Sequence, residues 1–126
     1  MRRPVNTHRA PAAVGPYTQA IVADNFVFVS GQIPLDPVSA QIVDGGVEEQ
    51  TRQVLKNVAA ILAEAGSSMD RVVKATVYLT DLGDFDAMNR VYGEVFVGMR
   101  PARVCVEVSK LPRGARVEID AIAILK

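Results

Sequence analysis

A chain of 126 residues with 49% hydrophobic content has the length of one domain, residues 1–126, and enough apolar material for a full core. Fourteen basic residues balance fourteen acidic ones and no Lys/Arg run is longer than Arg2-Arg3, so the chain lacks the electrostatic footprint of a nucleic-acid binder. One cysteine, Cys105, cannot form an internal disulfide, and with His8 as the one histidine the chain lacks the ligand set of a zinc site and any histidine pair for acid–base work.

Met1-Arg2-Arg3 is followed by Pro4-Val5-Asn6-Thr7-His8, with no apolar stretch typical of a leader, and no window approaches about 18 apolar residues. These features predict a soluble, cytoplasmic chain with a mobile terminus around His8, no membrane partner and a reduced Cys105. Tyr17 to Val22 and Phe26 to Ser30, separated by Ala23-Asp24-Asn25, read as a β-hairpin. A proline-punctuated loop follows. Val47, Thr51, Val54, Leu55, Val58, Ile61, Leu62 and Ala65 then recur at helical spacing and stop at Gly66, which predicts a helix with one apolar stripe. Glu48, Glu49, Arg52, Gln53 and Lys56 occupy its solvated face, the two acids in the first turn suiting the helix dipole.

Arg71 to Thr80 is rich in β-branched residues and reads as a strand, and Asp84 to Val97 as a second helix with the stripe Phe85, Met88, Tyr92, Val95 and Phe96. Asn89 lies on that stripe, where an amide needs partners, either as a packing group or as part of a site. Gly45, Gly46, Gly66, Gly83, Gly98 and Gly114 are scattered at element ends, so no phosphate loop and no nucleotide cofactor are indicated.

Two strands close the chain. In Ala102 to Val108 the valines fall on one face and Arg103, Cys105 and Glu107 on the other. In Arg116 to Leu125 the face carrying Glu118 and Asp120 turns apolar at Ile122 and Ile124, which predicts that it is covered. Arg103 and Glu118 are thus charged groups on strands that read as buried, an expensive placement unless compensated. A site for an anionic substrate is one compensation; a structural cross-strand salt bridge is the other. The elements predict an α+β domain, one sheet with two helices on one face. Nothing remains in the chain to cover the other face, and the positive mean hydropathy of +0.17 agrees with burial against further copies, so a homo-oligomer is expected.

Ala10-Pro11-Ala12-Ala13-Val14-Gly15-Pro16-Tyr17-Thr18-Gln19-Ala20, Val29-Ser30-Gly31-Gln32-Ile33-Pro34, Glu48-Glu49-Gln50-Thr51, Pro101 to Val106, Leu111-Pro112-Arg113-Gly114 and Val117-Glu118-Ile119 resemble, in order and spacing, the reactive intermediate deaminase (RidA, YjgF-type) family over nearly the whole chain. Departures from the family pattern are few: Val14 for isoleucine, Thr18 for serine, Ser39-Ala40-Gln41 for Thr-Gly-Glu, and Asp120 for glutamate.

The resemblance implies a chorismate-mutase-like fold with a mixed sheet, a homotrimer, and clefts at the subunit interfaces. It also changes a local inference. Sequence alone pairs the last two strands as a hairpin, Arg103 opposite Asp120 and Glu107 opposite Arg116, whereas the family inserts the Arg71 to Thr80 strand between them. That implies charged groups two strand spacings apart, roughly 9–10 Å along the sheet, with room for a small substrate. The implied reaction is hydrolysis of 2-imino acids such as 2-iminopropanoate and 2-iminobutanoate, and of their enamine tautomers, to 2-keto acids and ammonia, with no metal or organic cofactor.

By position, Arg103 would bind the substrate carboxylate and Glu118 would activate water; Tyr17, Ser30, Gly31, Asn89, Cys105 and Pro112 would line the cleft. Cys105 has no base beside it and is read as lining, not as a nucleophile. Two other functions attach to such chains: a non-catalytic trimeric module binding small carboxylates, and a ribonuclease or translation inhibitor.

Overall fold

The computed structural model describes residues 1–126. In chain order its elements are β1 (Arg2–Val5), β2 (Ala20–Ala23), β3 (Phe26–Gln32), α1 (Val47–Ala65), β4 (Val72–Leu79), α2 (Phe85–Val95), β5 (Ala102–Glu107) and β6 (Val117–Ile124), with single 3-10 turns at Met69–Arg71, Leu82–Asp84 and Pro112–Gly114. The strands form one sheet in the order β1-β2-β3-β6-β4-β5. All neighbours are antiparallel except β4 and β5, which run parallel and are joined through α2. This is the α+β arrangement expected, a mixed sheet with two helices on one face.

The α1 stripe explains the layer. Val54, Leu55, Val58, Ile61 and Leu62 are all buried, and they meet the alternate residues Val27 and Val29 of β3, Ala75, Val77 and Leu79 of β4, and Val117, Ile119, Ala121 and Ala123 of β6 in one core. Glu49 reaches back to accept a hydrogen bond from the Gly46 N–H at 2.8 Å, satisfying one free donor of the first turn. The helix ends where expected, because Gly66 adopts φ +91° and the Ser67 N–H returns to the Leu62 carbonyl at 2.8 Å.

Three expectations are corrected. The N-terminus is tied down: β1 pairs with β2 from Arg2↔Ala23 to Val5↔Ala20, and the Arg3 guanidinium caps the end of α1 through the Ala65 carbonyl at 3.1 Å. Its signal is faint in sequence because an edge strand of four residues tolerates Pro4 and exposes its arginines. The hairpin is shorter than read, beginning at Ala20, because Tyr17 to Gln19 belong to the loop that walls the cleft described below.

The third correction concerns the faces. The Ala102–Glu107 strand is an edge, not a buried strand, and its valines are the outward side: Val104 and Val106 are 42% and 38% exposed. Arg103 and Cys105 point to the helix side, because Arg103 pairs with Ala75 and Cys105 with Val77, both buried beneath the helices. Glu118 pairs with Tyr78 and Asp120 with Thr76, on the opposite face. The inserted β4 is present as the resemblance implied, but Arg103 and Glu118 of one chain lie on opposite sides of the sheet. No substrate fits between them within a single chain.

The face that carries Glu118 has no helix over it. Ile21, Phe28 and Ile122 are cross-strand neighbours there, as are Phe26 and Ile124, and Val104 and Val106 continue the apolar surface beyond β4. No helix is long and apolar enough to cross a membrane.

Candidate functional site

Eight residues were expected in the site, and the fold distributes them into two half-sites. The first is a cleft of about 600 Å³ whose lining includes Val14, Tyr17, Ser30, Gly31, Pro112 and Glu118. It is built around a bulge. Between the pairs Val29↔Ala121 and Gln32↔Ile119, the two residues Ser30 and Gly31 of β3 face the single Asp120 of β6. The extra residue releases Ser30 from the ladder: its N–H donates to the Gln19 carbonyl at 2.9 Å and its hydroxyl donates to the Thr18 carbonyl at 2.6 Å. With its proton committed, the Ser30 oxygen can offer the cleft only its lone pairs.

Gly31 serves a different purpose. Its backbone is unexceptional, but the Glu118 carboxylate lies directly over it. A Cβ built at residue 31 would stand 2.9 Å from the Glu118 Cδ and closer still to Oε2. Glycine here is space for a carboxylate.

Glu118 itself accepts no hydrogen bond within the chain and pairs with no cation; the five ion pairs lie elsewhere. Burial, and secondarily the like charge of Asp120 two residues along the strand, push its carboxyl above the ordinary glutamate range. Asp120 in turn accepts a hydrogen bond from the Tyr78 hydroxyl at 3.0 Å.

Side-chain amides hold the cleft walls. Gln19, buried, accepts from the Thr7 N–H at 2.7 Å and donates to the carbonyls of Thr7, Ala10 and Pro11 at 3.1, 3.3 and 2.8 Å. Asn57 on α1 donates to the carbonyls of Ile33 and Leu35 at 3.3 and 3.0 Å, fixing the opposite wall. Arg113, next to Pro112, reaches the Ala40 carbonyl at 3.1 Å. Gln19 and Asn57 escaped the sequence reading, although the signal was present: polar residues bordering apolar patterns, with no reason to be buried except to satisfy loop backbone.

The second half-site gathers Arg103, Asn89 and Cys105 on the helix side. The Arg103 Nη1 donates to Asn89 Oδ1 at 2.6 Å, and its Cζ lies 4.7 Å from the Tyr92 ring centroid and 5.5 Å from that of Phe85. Phe85, Asn89 and Tyr92 are one stripe of α2, so a single helix face holds the guanidinium. Asn89 is therefore a partner of Arg103, not a core amide. No carboxylate of the chain neutralises Arg103. Burial raises the Cys105 thiol against the opposing pull of Arg103, which leaves it protonated and suited to lining rather than attack. His8 lies in a separate hollow beside Thr18 and Tyr17.

Two outcomes are expected from this geometry. Gly31→Ala should leave the fold intact and swing the Glu118 carboxylate off its position, which a crystal structure of the variant will show directly; an unmoved carboxylate contradicts the spatial role. In carbon-detected NMR titration, Asp120→Asn should lower the pH at which Glu118 gains its proton, by removing the like charge.

The profile of the family described as endoribonuclease L-PSP matches residues 7–125. A RutC family protein of Pyrococcus horikoshii is 54% identical over 98% of both chains. A mouse protein named 2-iminobutanoate/2-iminopropanoate deaminase is 49% identical, covering 98% of this chain and 92% of its own. Among solved structures, the conserved Rid family protein YyfA of Yersinia pestis superposes with a TM-score of 0.96 at 44% identity, over 99% of this chain and all of that one. Matched from residue 7 to its final strand, the chain belongs to the Rid family, the proteins gathered under the endoribonuclease L-PSP description.

Proposed function

We propose that the protein hydrolyses reactive 2-imino acids and their enamine tautomers, with 2-iminopropanoate and 2-iminobutanoate as substrates, to 2-keto acids and ammonia, in sites formed between the copies of a homotrimer. The observation that carries this is the pair of unneutralised charges: Glu118, half-buried without a partner, and Arg103, a guanidinium fixed by Asn89, Phe85 and Tyr92 with no carboxylate. A chain folds around such groups at a cost, and each complements a different part of one small anionic substrate. The name of the mouse relative supports the same chemistry.

The opposite-face placement calls for a second copy. Arg103 of one copy meets the Glu118 cleft of the next, and the uncovered apolar sheet face with Phe26, Phe28, Val104, Val106, Ile122 and Ile124 supplies the surface that the contact buries.

In the reaction, the Arg103 fork holds the substrate carboxylate through parallel hydrogen bonds. The protonated imine carbon is already electrophilic. Glu118 takes a proton from a water as its oxygen adds to C2, giving a tetrahedral carbinolamine, and passes that proton to the nitrogen. The C–N bond breaks as ammonia departs with its electron pair, and Glu118, again a carboxylate, takes the hydroxyl proton as the keto group forms. Ser30, its own proton held by Thr18, accepts a hydrogen bond from the water or from the iminium N–H. Tyr17 and Pro112 close the apolar side of the cleft, and Cys105 sits beside Arg103.

No metal or organic cofactor enters this scheme. A carboxylate-binding module needs Arg103 but has no use for an unpaired Glu118, and the balanced charge and the lack of a histidine pair argue against a ribonuclease. We place this function in the cytoplasm.

Arg103→Lys keeps the charge and loses the fork, so kcat/KM for imine hydrolysis should fall at least about tenfold with the fold retained. Glu118→Gln should lower turnover by about 10² or more while 2-oxobutyrate still binds. Stopped-flow kinetics on imine generated in situ, with calorimetric binding beside it, reads both; full activity in either variant contradicts the assignment of that residue.

A further inference from the structure

Arg103 shares its cleft with a second guanidinium. Asn89, Tyr92, Gly93, Arg100, Pro101 and Arg103 line a hollow of about 320 Å³ beside the end of α2. No acidic residue lines it, and neither arginine makes an ion pair in the chain. Glu94, the helix carboxylate next to Gly93, is committed to Arg52 at 3.0 Å.

Arg100 is held in place without being neutralised. Its Nε donates to the Phe96 carbonyl at 2.8 Å and its Nη2 to the Gly93 carbonyl at 3.4 Å, bonds that suit a cation at a helix C-terminus. Nη1 makes no bond within the chain. Tyr92, 5% exposed and lining the same hollow, carries a buried hydroxyl with no partner. Both guanidinium groups bear on that hydroxyl, opposing the upward push of burial on its ionisation. Buried hydroxyls are nearly always hydrogen-bonded, and this one goes without a partner in the field of both guanidinium groups.

We propose that this hollow binds the second carboxylate of a dicarboxylic 2-imino acid, with Arg103 on the carboxylate next to the reacting carbon and Arg100 on the distal one. The inference rests on the proposed imine hydrolysis and extends its substrate class to the imines derived from acidic amino acids. Two guanidiniums across one small cleft favour a four- or five-carbon diacid over its monoacid analogue, because the second charge-assisted bond is formed without ordering a new side chain.

The test compares oxaloacetate and 2-oxoglutarate with 2-oxobutyrate as product-side ligands by calorimetry, in the parent and in Arg100→Gln, whose amide can still donate to the helix end. The expected result is tighter binding of at least one diacid in the parent, and a loss of that diacid-to-monoacid preference by at least about tenfold in the variant. Turnover of imines generated from aspartate and from 2-aminobutyrate should change in the same ratio. Equal affinity for both classes in the parent overturns the inference while leaving imine hydrolysis standing. A proportional weakening of both ligands in the variant overturns it too, since Arg100 is then only a helix cap. Diacid preference with no turnover of any imine supports the hollow and removes the proposed reaction. Failure of every ligand to bind removes both.

Discussion

The alternation of side chains across three adjacent strands governs what this molecule can do. Successive residues of a strand point to opposite faces, and β4 transmits that parity from β6 to β5: Tyr78 aligns with Glu118, and Ala75, on the other face, aligns with Arg103. The two charged groups are close in the sheet order yet separated by the sheet itself. Neither can neutralise the other in one chain, which is why both remain unpaired. The parity forbids a direct salt bridge between them within one chain.

Each half-site is rigid for its own reason. Glu118 is placed by a bulge that sets two residues of β3 against one of β6 and by a glycine that leaves room above the backbone. Arg103 is placed by one face of α2, two aromatic rings and an amide at helical spacing. The buried amides Gln19 and Asn57 satisfy loop carbonyls that would otherwise face an apolar interior, and so fix the walls around Glu118. For the proposed imine hydrolysis, holding groups in place before substrate arrives is most of what the protein must supply.

The helices and central strands were legible because their patterns are long and one-sided. The α1 stripe from Val47 to Ala65 matches the helix end for end, and the β-branched run at Arg71 to Thr80 and the alternation at Arg116 to Leu125 mark β4 and β6 within a residue or two. The short edge strand β1 was hidden by its polar, proline-bearing sequence. The residues of the site were visible as types out of place, Arg103 and Glu118 on strands and Asn89 on an apolar stripe. Which face each took was not visible, because alternation fixes relative parity within a strand but not the parity between strands. That depends on register, here Ala75↔Arg103 and Tyr78↔Glu118, and register is set by packing of the whole layer. Arg100 carries no signal in the sequence, since nothing local distinguishes a helix-capping arginine from one that also lines a hollow.

The central claim is that Arg103 of one copy and Glu118 of another make one site, and mixed assemblies test it most directly. Chains carrying Arg103→Gln and chains carrying Glu118→Gln, each inactive alone, are unfolded together at equal concentration and refolded. If the site spans two copies in a ring, one interface in four recovers both native groups, and the mixture should regain about a quarter of the parent imine-hydrolysis rate. A mixture that forms mixed assemblies by native mass spectrometry and stays as inactive as its components would contradict the account.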